Sequence, residues 1–529
     1  MAAATHPGKQ PLRARALLAA AALVIALPAS TMGAQGHPHP ATSFVSVIAP
    51  DGQAIPLINA GDVFKGVTFD GIPDGIGIVP VSNGKQQVDL YVTMEQSHVP
   101  FSGFADYQDS SVQRARLDLK SGQIVDLATV LPASAGFIRF CSATMVGPAQ
   151  GFSDYTFLVN EESNDILDIP ANAPYPSDPP WATYRQAGYS VWLDAKSGAF
   201  KTIPGAGRMN HENTMVVPGG WSGIYALTGD DTFSAPSSQL YMYGASSPGA
   251  FKQDKGSLWA FQVTEKNDVA VDPADAFNGA NDYLDITVGD DLAGQFIEVP
   301  GDIARGTHGG NPQSELETWS NEHNVFQFIR IEDLAYDANN PRTVYFADTG
   351  STVQHSTATT GPTAGRMISG GTAQRGRVFK LVMNADDPTV VDSFSVLADG
   401  NNASSNFLRP DNIGSGTNGL MVQEDNSPVI SGGVVVTPTN NDIWFYSFED
   451  ETWTKVASVT QPQAETSGII DASAWLGAGW WVFDIQSHET QHSFSTTGSY
   501  TVPVTGAVIS PFTIRRELGQ LSLLYIPGS

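Results

Sequence analysis

Cysteine is almost missing. Cys141 is the only one in 529 residues, so an internal disulfide framework is excluded. Positive charge is scarce too: 27 lysines and arginines face 54 aspartates and glutamates, a formal net charge of −27. Such a surface repels polyphosphate and anionic lipid, which argues against nucleic acid or a membrane surface as a partner. Beyond the first residues no apolar run is long enough to cross a bilayer, so no stable membrane insertion is expected. No long segment shows a convincing helical period, and no GxSxG nucleophile elbow or GxxxxGK[ST] phosphate loop appears.

What is present begins with "MAAATHPGKQPLRARALLAAAALVIALPASTMGAQG". Lys9, Arg13 and Arg15 come without any acid, an apolar run covers Ala16 to Leu27, and Pro28 and small residues follow. That is the layout of a signal peptide cut between Ala29 and Gly36, and it is too short to span a bilayer. The expectation is a leader over residues 1–34, one domain over 35–529, and a secreted or periplasmic product. Ala14 separates Arg13 from Arg15, so Sec and twin-arginine export both stay open. Removing the three leader cations takes the formal charge from −27 to −30. This acidity serves solubility, or it supplies hard oxygen ligands for calcium.

Short alternating runs recur along the chain, among them "QVDLYVTME", "YTFLVNEE", "YSVWLDA", "GIYALTGD", "TVYFADTG" and "DIWFYSF". Gly, Asn, Asp or Ser punctuates them, which is the rhythm of hairpins. "LDLKSGQIV" from Leu117 and "LDAKSGAFK" from Leu193 are near copies, 76 residues apart. "IWFYSFEDETWTKVASV" repeats the strand–turn–strand idea. Propeller blades run about 40 to 50 residues, so that spacing reads as about two blades. The expected fold is all-β, a single propeller of about six blades with irregular loop insertions. Gly350–Arg375 and Gly400–Asn406 read as surface insertions.

Such a fold gathers loops from distant stretches at one mouth. Acidic or acid–amide pairs at strand ends are the candidates: Glu161-Glu162, Asp230-Asp231, Glu332-Asp333, Asp411-Asn412 and Glu424-Asp425, with Cys141 in "FIRFCSATM". In "GRMNHENTMVV", neighbours His211 and Glu212 would face opposite sides of a strand. Glu212 is expected to point inward and His211 into the supporting shell. Arg330 lies two residues before Glu332 and would share its face on a strand.

The stretches "FCSATM…YTFLVNEES", "GRMNHEN…ALTGDD", "RIEDLAYDANNPRTVYFADTG", "GRVFKLVMNADDP", "RPDN…GLMVQEDN" and "WWVFDIQSH" occur in that order. Together they resemble the PhoX-like phosphatase family, a bacterial group of secreted propellers, over Phe137 to His488. The resemblance implies an alkaline phosphomonoesterase with a mixed site of ferric iron (Fe3+) and calcium (Ca2+). Carried over, it makes Cys141 an iron-binding thiolate. Glu162 (or Glu161), Glu212 and Glu332 become carboxylate ligands, with Asp411 and Asn412 in a further ligand motif. Arg330, Glu212 and Glu332 would be catalytic, Arg330 holding the phosphate of a small phosphate-ester substrate. Hard cations suit carboxylates drawn from several blades. Other readings stay open: a calcium-dependent phosphodiesterase or lactonase-like hydrolase, a metal-stabilised binding propeller without catalysis, a plain buried thiol at Cys141, and an Arg330 that only neutralises Glu332. His488-Glu-Thr-Gln-His492 matches the HExxH zinc signature, but that chemistry needs a helix and this stretch follows a strand.

Overall fold

The computed structural model describes residues 36–529 apart from 83–85, 96–109, 170–172, 174, 180, 182, 233–237, 351–374, 426–428, 432–433, 438–440, 462–463 and 502–507. The leader and most of the Gly350–Arg375 stretch therefore lie outside the described residues. The regular structure is mainly strand, with short helices such as Pro312–Glu322, in a propeller-like arrangement. Three four-stranded sheets, one of five strands and one of ten make up its bulk, with antiparallel pairing between the named strands. In the ten-stranded sheet, Leu292–Glu298 pairs with both Ser257–Lys266 and Val390–Asp399, joining two four-stranded units.

Each unit begins with a first strand: β1 (Pro73–Pro80), β2 (Phe140–Val146), β3 (His211–Val216), β4 (Ile331–Tyr336), β5 (Pro410–Ser415) and β6 (Ala464–Asp471). These pack in a closed cycle, each on the next, with β6 returning to β1. Side chains alternate across a strand, so each sheet offers an apolar face to both neighbours. Separate cores fill the boundaries. Phe140, Phe157 and Val191 meet Tyr91, Val112 and Leu131 between the sheets of β1 and β2. Ile469, Trp481 and Leu524 meet Met421, Ile443 and Val456 between those of β5 and β6. A buried aromatic or branched side chain contributes about 1.5–3 kcal/mol, so closure is held by many wedges of this kind.

The last sheet is completed from the other end of the chain: Gln53–Asn59 pairs with Val508–Tyr525. Val45–Val47 likewise adds a strand to Trp453–Val459.

The repeated Lys-Ser-Gly turns correct the expected spacing. Both join third and fourth strands, with Asp118 and Asp194 accepting the N–H of Ser121 and Ser197. Their sheets, however, are consecutive (those of β1 and β2) and not two apart. An excursion between Glu161 and Ser190, carrying its own two-stranded sheet, stretches the second unit. Asp442–Ser447 and Trp453–Val459 form the corresponding hairpin in the unit of β5. The HETQH stretch lies within the strand Trp480–Thr501, so its histidines are not one helical turn apart.

Candidate metal centre at the ring mouth

A positional rule builds the site. The second residues of the six first strands are Asp74, Cys141, Glu212, Glu332, Asp411 and Glu465. All six line one cavity of about 310 Å³ at the mouth of the ring. A repeated β-bulge places them there. In β1, three steps from Pro73 to Ile76 oppose only two from Met94 to Val92. The same extra residue follows Phe140, His211, Ile331 and Pro410. Bulges re-aim side chains at the cost of local pairing. In β6 the extra residue falls later, at Gly468 with φ 42°.

A second tier comes from the residue that follows each second strand. The N–H groups of Glu95, Glu162, Asp231, Thr349 and Asp425 bond the carbonyls of Ile72, Arg139, Asn210, Arg330 and Arg409, all between 2.9 and 3.0 Å. Those five acceptors each immediately precede a first strand, so one backbone bond recurs in five units. Glu95, Glu162 and Asp425 line the cavity with Arg139, Arg330, Ser467 and Gln486.

The expected residues sort as follows. Cys141, Glu162, Glu212, Glu332, Asp411 and Arg330 converge at the mouth. Glu161 does not: it is fully buried behind the mouth, where both oxygens bind the Arg185 guanidinium at 2.6 and 2.8 Å. It also accepts the N–H groups of Ile138 and Tyr189. Strand alternation is the reason, since Glu161 ends its strand pointing away from the axis that Glu162 faces. Asn412 also lies outside the cavity, its Oδ1 accepting from Ser467 Oγ at 2.9 Å. Two other acids that end second strands, Asp348 and Glu424, behave like Glu161. Asp348 accepts from Ile329 N–H, and Glu424 from the N–H groups of Leu408 and Asp442. In the Glu161-Glu162 and Glu424-Asp425 pairs the first acid clamps the loop while its successor enters the mouth.

The pair in the "MNHEN" stretch divides as its alternation requires. His211 is buried, with Nε2 donating to the Gly207 carbonyl at 3.1 Å and Nδ1 2.9 Å from Thr228 Oγ1. Burial lowers its pKa to about 4, so it is neutral at neutral pH. Glu212 is 1% exposed, and neither carboxylate oxygen has a hydrogen-bond partner. An orphaned buried carboxylate costs several kcal/mol unless a proton or cation joins it.

Three groups bring ligand atoms within 4.8 Å of one another: Asp74/Glu95/Cys141, Cys141/Glu162/Glu212 and Glu212/Glu332/Asp411. Cys141 and Glu212 are shared, so the three form a chain across the mouth. The lining holds eight carboxyls (Asp74, Glu95, Glu162, Glu212, Glu332, Asp411, Asp425, Glu465) and two arginines, a formal charge of −8 + 2 = −6. Protonation is driven up accordingly. Burial, then Glu162, Glu332 and Asp411, raises Glu212 well above the carboxylate range. Burial raises Asp74 to about 7 and Asp231 to about 8, the latter against the pull of Arg330. Burial, then the Asp74 charge, raises the Cys141 thiol, whose Sγ lies 2.9 Å from Asp74 Oδ2.

Arg330 is tied to two acids. Its Nε and Nη2 each bond Asp231 at 2.9 Å, and Nη2 lies 3.1 Å from Glu332 Oε1. Thr349 Oγ1 donates to the same Glu332 oxygen. Burial works against the guanidinium charge, but Asp231 and Glu332 outweigh it. The Nε–Nη2 edge of the guanidinium expected to hold phosphate is therefore bound to Asp231.

Asp74, Glu95 and Glu465 escaped the sequence reading. Glu95 carried a usable signal, since it ends "QVDLYVTME" as Glu162 ends "YTFLVNEE". Asp74 and Glu465 stand alone in "GIPDG" and "PQAETSG", with no paired acid to mark them.

The fold has a solved counterpart. The structure of Pseudomonas fluorescens PhoX in complex with vanadate, a transition state analogue, covers 93% of this chain and 98% of its own, with a TM-score of 0.58 and 13% identity. The motif resemblance is matched here at the level of fold. The catalytic domain of the Coprinopsis cinerea GH62 alpha-L-arabinofuranosidase, at a TM-score of 0.29 and 10% identity over 77% of this chain and 96% of its own, is too distant to bear on function. No protein-family model and no curated protein sequence matches the chain.

Proposed function

We propose that this chain is an exported, metal-dependent phosphoric-ester hydrolase acting on phosphate monoesters through a carboxylate- and cysteine-ligated iron–calcium centre. Six blades, one per first strand, and removal of residues 1–34 as a leader belong to the same reading. Among the described residues no helix is long and apolar enough to cross a membrane.

The observation that carries the proposal is the chain of three ligand groups sharing Cys141 and Glu212. With Cys141 ionised the formal −6 of the lining becomes −7, which one ferric and two calcium ions would offset. The donor set fits: carboxylates suit ferric iron and calcium, and a single thiolate adds a ligand iron accepts and calcium does not favour. Glu212, with two orphaned oxygens, bridges two of the groups. The vanadate held by the PhoX counterpart supports phosphoryl chemistry on this scaffold. When bound, the cations supply positive charge and Lewis acidity.

The chain's own residues do the rest. Asp74, Glu95, Cys141, Glu162, Glu212, Glu332 and Asp411 hold the cations. Asp231 fixes Arg330 so that its guanidinium steadies the phosphoryl oxygens, and Thr349 keeps Glu332 oriented. Glu161 and Asn412 serve the frame. Natively purified protein should contain iron and calcium by elemental analysis and hydrolyse a chromogenic phosphate monoester. Glu212→Gln should lose cations and at least about 100-fold in kcat/KM. Fully metallated protein inert toward monoesters at every pH would end the proposal. Calcium without iron, coupled to diester or lactone hydrolysis, would move the reading to another esterase class.

A further inference from the structure

Arg139, Arg330 and Arg409 occupy one structural position in three different units. Each immediately precedes a first strand, and each carbonyl accepts the N–H of the residue after the second strand. Ile72 and Asn210 fill that position elsewhere, so the backbone does not require arginine there. Arg139 adopts φ 42°, and Ile72 and Arg409 both φ 52°, the left-handed region that disfavours any residue with a Cβ, so the strain belongs to the position and not to arginine. Glycine would take this conformation without strain. What sets Arg139 and Arg330 apart is that their side chains line the cavity, which those of Ile72, Asn210 and Arg409 do not.

Arg139 lines the same cavity as Arg330, two places away round the ring. One ion pair it makes there is with Glu162, Nη1 to Oε1 at 3.8 Å. Glu162 belongs with Cys141 and Glu212 to the middle ligand group. A cation seated there would take over the charge of Glu162, and the nearby guanidinium would then face whatever anion the cations hold. Arg330 has its Nε–Nη2 edge committed to Asp231, so a second guanidinium is needed to grip a phosphoryl group from another side.

Building on the phosphatase reading, we propose that Arg139 is a second catalytic arginine, one that contacts the phosphoryl group and favours a dianionic monoester over a diester. The test uses the metal-loaded full chain and its Arg139→Gln and Arg139→Lys variants. Three readouts are taken: kinetics on a chromogenic phosphate monoester and the matching diester, elemental analysis, and calorimetric binding of inorganic phosphate. Arg139→Gln should keep its cations, lose about 100-fold in kcat/KM on the monoester but under about tenfold on the diester, and bind phosphate about tenfold more weakly. Arg139→Lys should recover part of each loss, which a folding defect would not produce. Cation loss in Arg139→Gln would overturn the proposal by reducing the arginine to a support for Glu162. Monoester turnover and phosphate binding within about twofold of wild type would overturn it as well. If the wild type hydrolyses nothing, the phosphatase reading falls, and phosphate binding still decides: weaker binding by Arg139→Gln upholds the contact, whereas equal binding, or none by either protein, refutes it.

Discussion

Stripping the cations should invert the pH dependence of stability. In the group Glu212/Glu332/Asp411 the ligand atoms lie within 4.8 Å of one another. At an effective dielectric of about 20, each ionised pair there repels by about 3 kcal/mol, and three pairs by about 10 kcal/mol. That matches the whole net stability of a domain, roughly 5–15 kcal/mol. Burial first, and then repulsion of this kind, holds the carboxyls of the mouth neutral in the metal-free fold: Asp74 rises to about 7, Asp231 to about 8, and Glu212, Glu332 and Asp411 well above their usual range. A raised carboxyl binds more protons in the folded than in the unfolded state between its two pKa values, so stability falls as pH rises through that window. Asp74 and Asp231 alone, between their ordinary 3.8 and about 7 to 8, give a slope of about 3 kcal/mol per pH unit. Chelated protein melted calorimetrically from pH 5 to pH 8 should lose stability steeply, whereas cation-loaded protein should gain over the same range because its ligands must be deprotonated to bind. A chelated protein whose melting temperature is flat or rising across that range would refute the reasoning.

Two further predictions separate frame from site. Glu161→Gln strands the buried Arg185 guanidinium and should cost about 3–5 kcal/mol in denaturant melts, while the folded fraction keeps its cations and turnover; an unchanged midpoint would refute this. At Gly468, φ is 42° and a Cβ would sit 2.1 Å from the Asp74 carbonyl oxygen. Gly468→Ala should therefore destabilise by about 1–3 kcal/mol and disturb the Asp74–Cys141 contact, seen as altered metal content. Normal stability and normal metal content would count against that packing.

How far the sequence could be read depended on local parity. His211 and Glu212 separated correctly because two adjacent strand residues must face opposite sides. Glu161 and Glu162 did not, because which acid of a pair enters the mouth depends on where the second strand ends against the bulge opposite, a register no single strand displays. The repeated Lys-Ser-Gly turn was legible as a hairpin, yet its spacing misled once the excursion after Glu161 lengthened one unit. Lone acids such as Asp74 and Glu465 were invisible because their importance is positional: each is simply second in its strand. Arg330 was recognised, but Asp231, its clamp 99 residues earlier, could be found only in three dimensions.

Pairing Gln53–Asn59 with Val508–Tyr525 also sets an order of events. A chain emerging from the ribosome can build the middle sheets as it grows, but the early strand must wait, unpartnered, for one made more than 400 residues later. Until that late hairpin arrives, β6 has no finished sheet behind it, and Glu465 and Gln486 are not yet in place beside Asp74. Ion loading is thereby deferred to the finished polypeptide, so the compartment in which the ring shuts chooses which ions it captures.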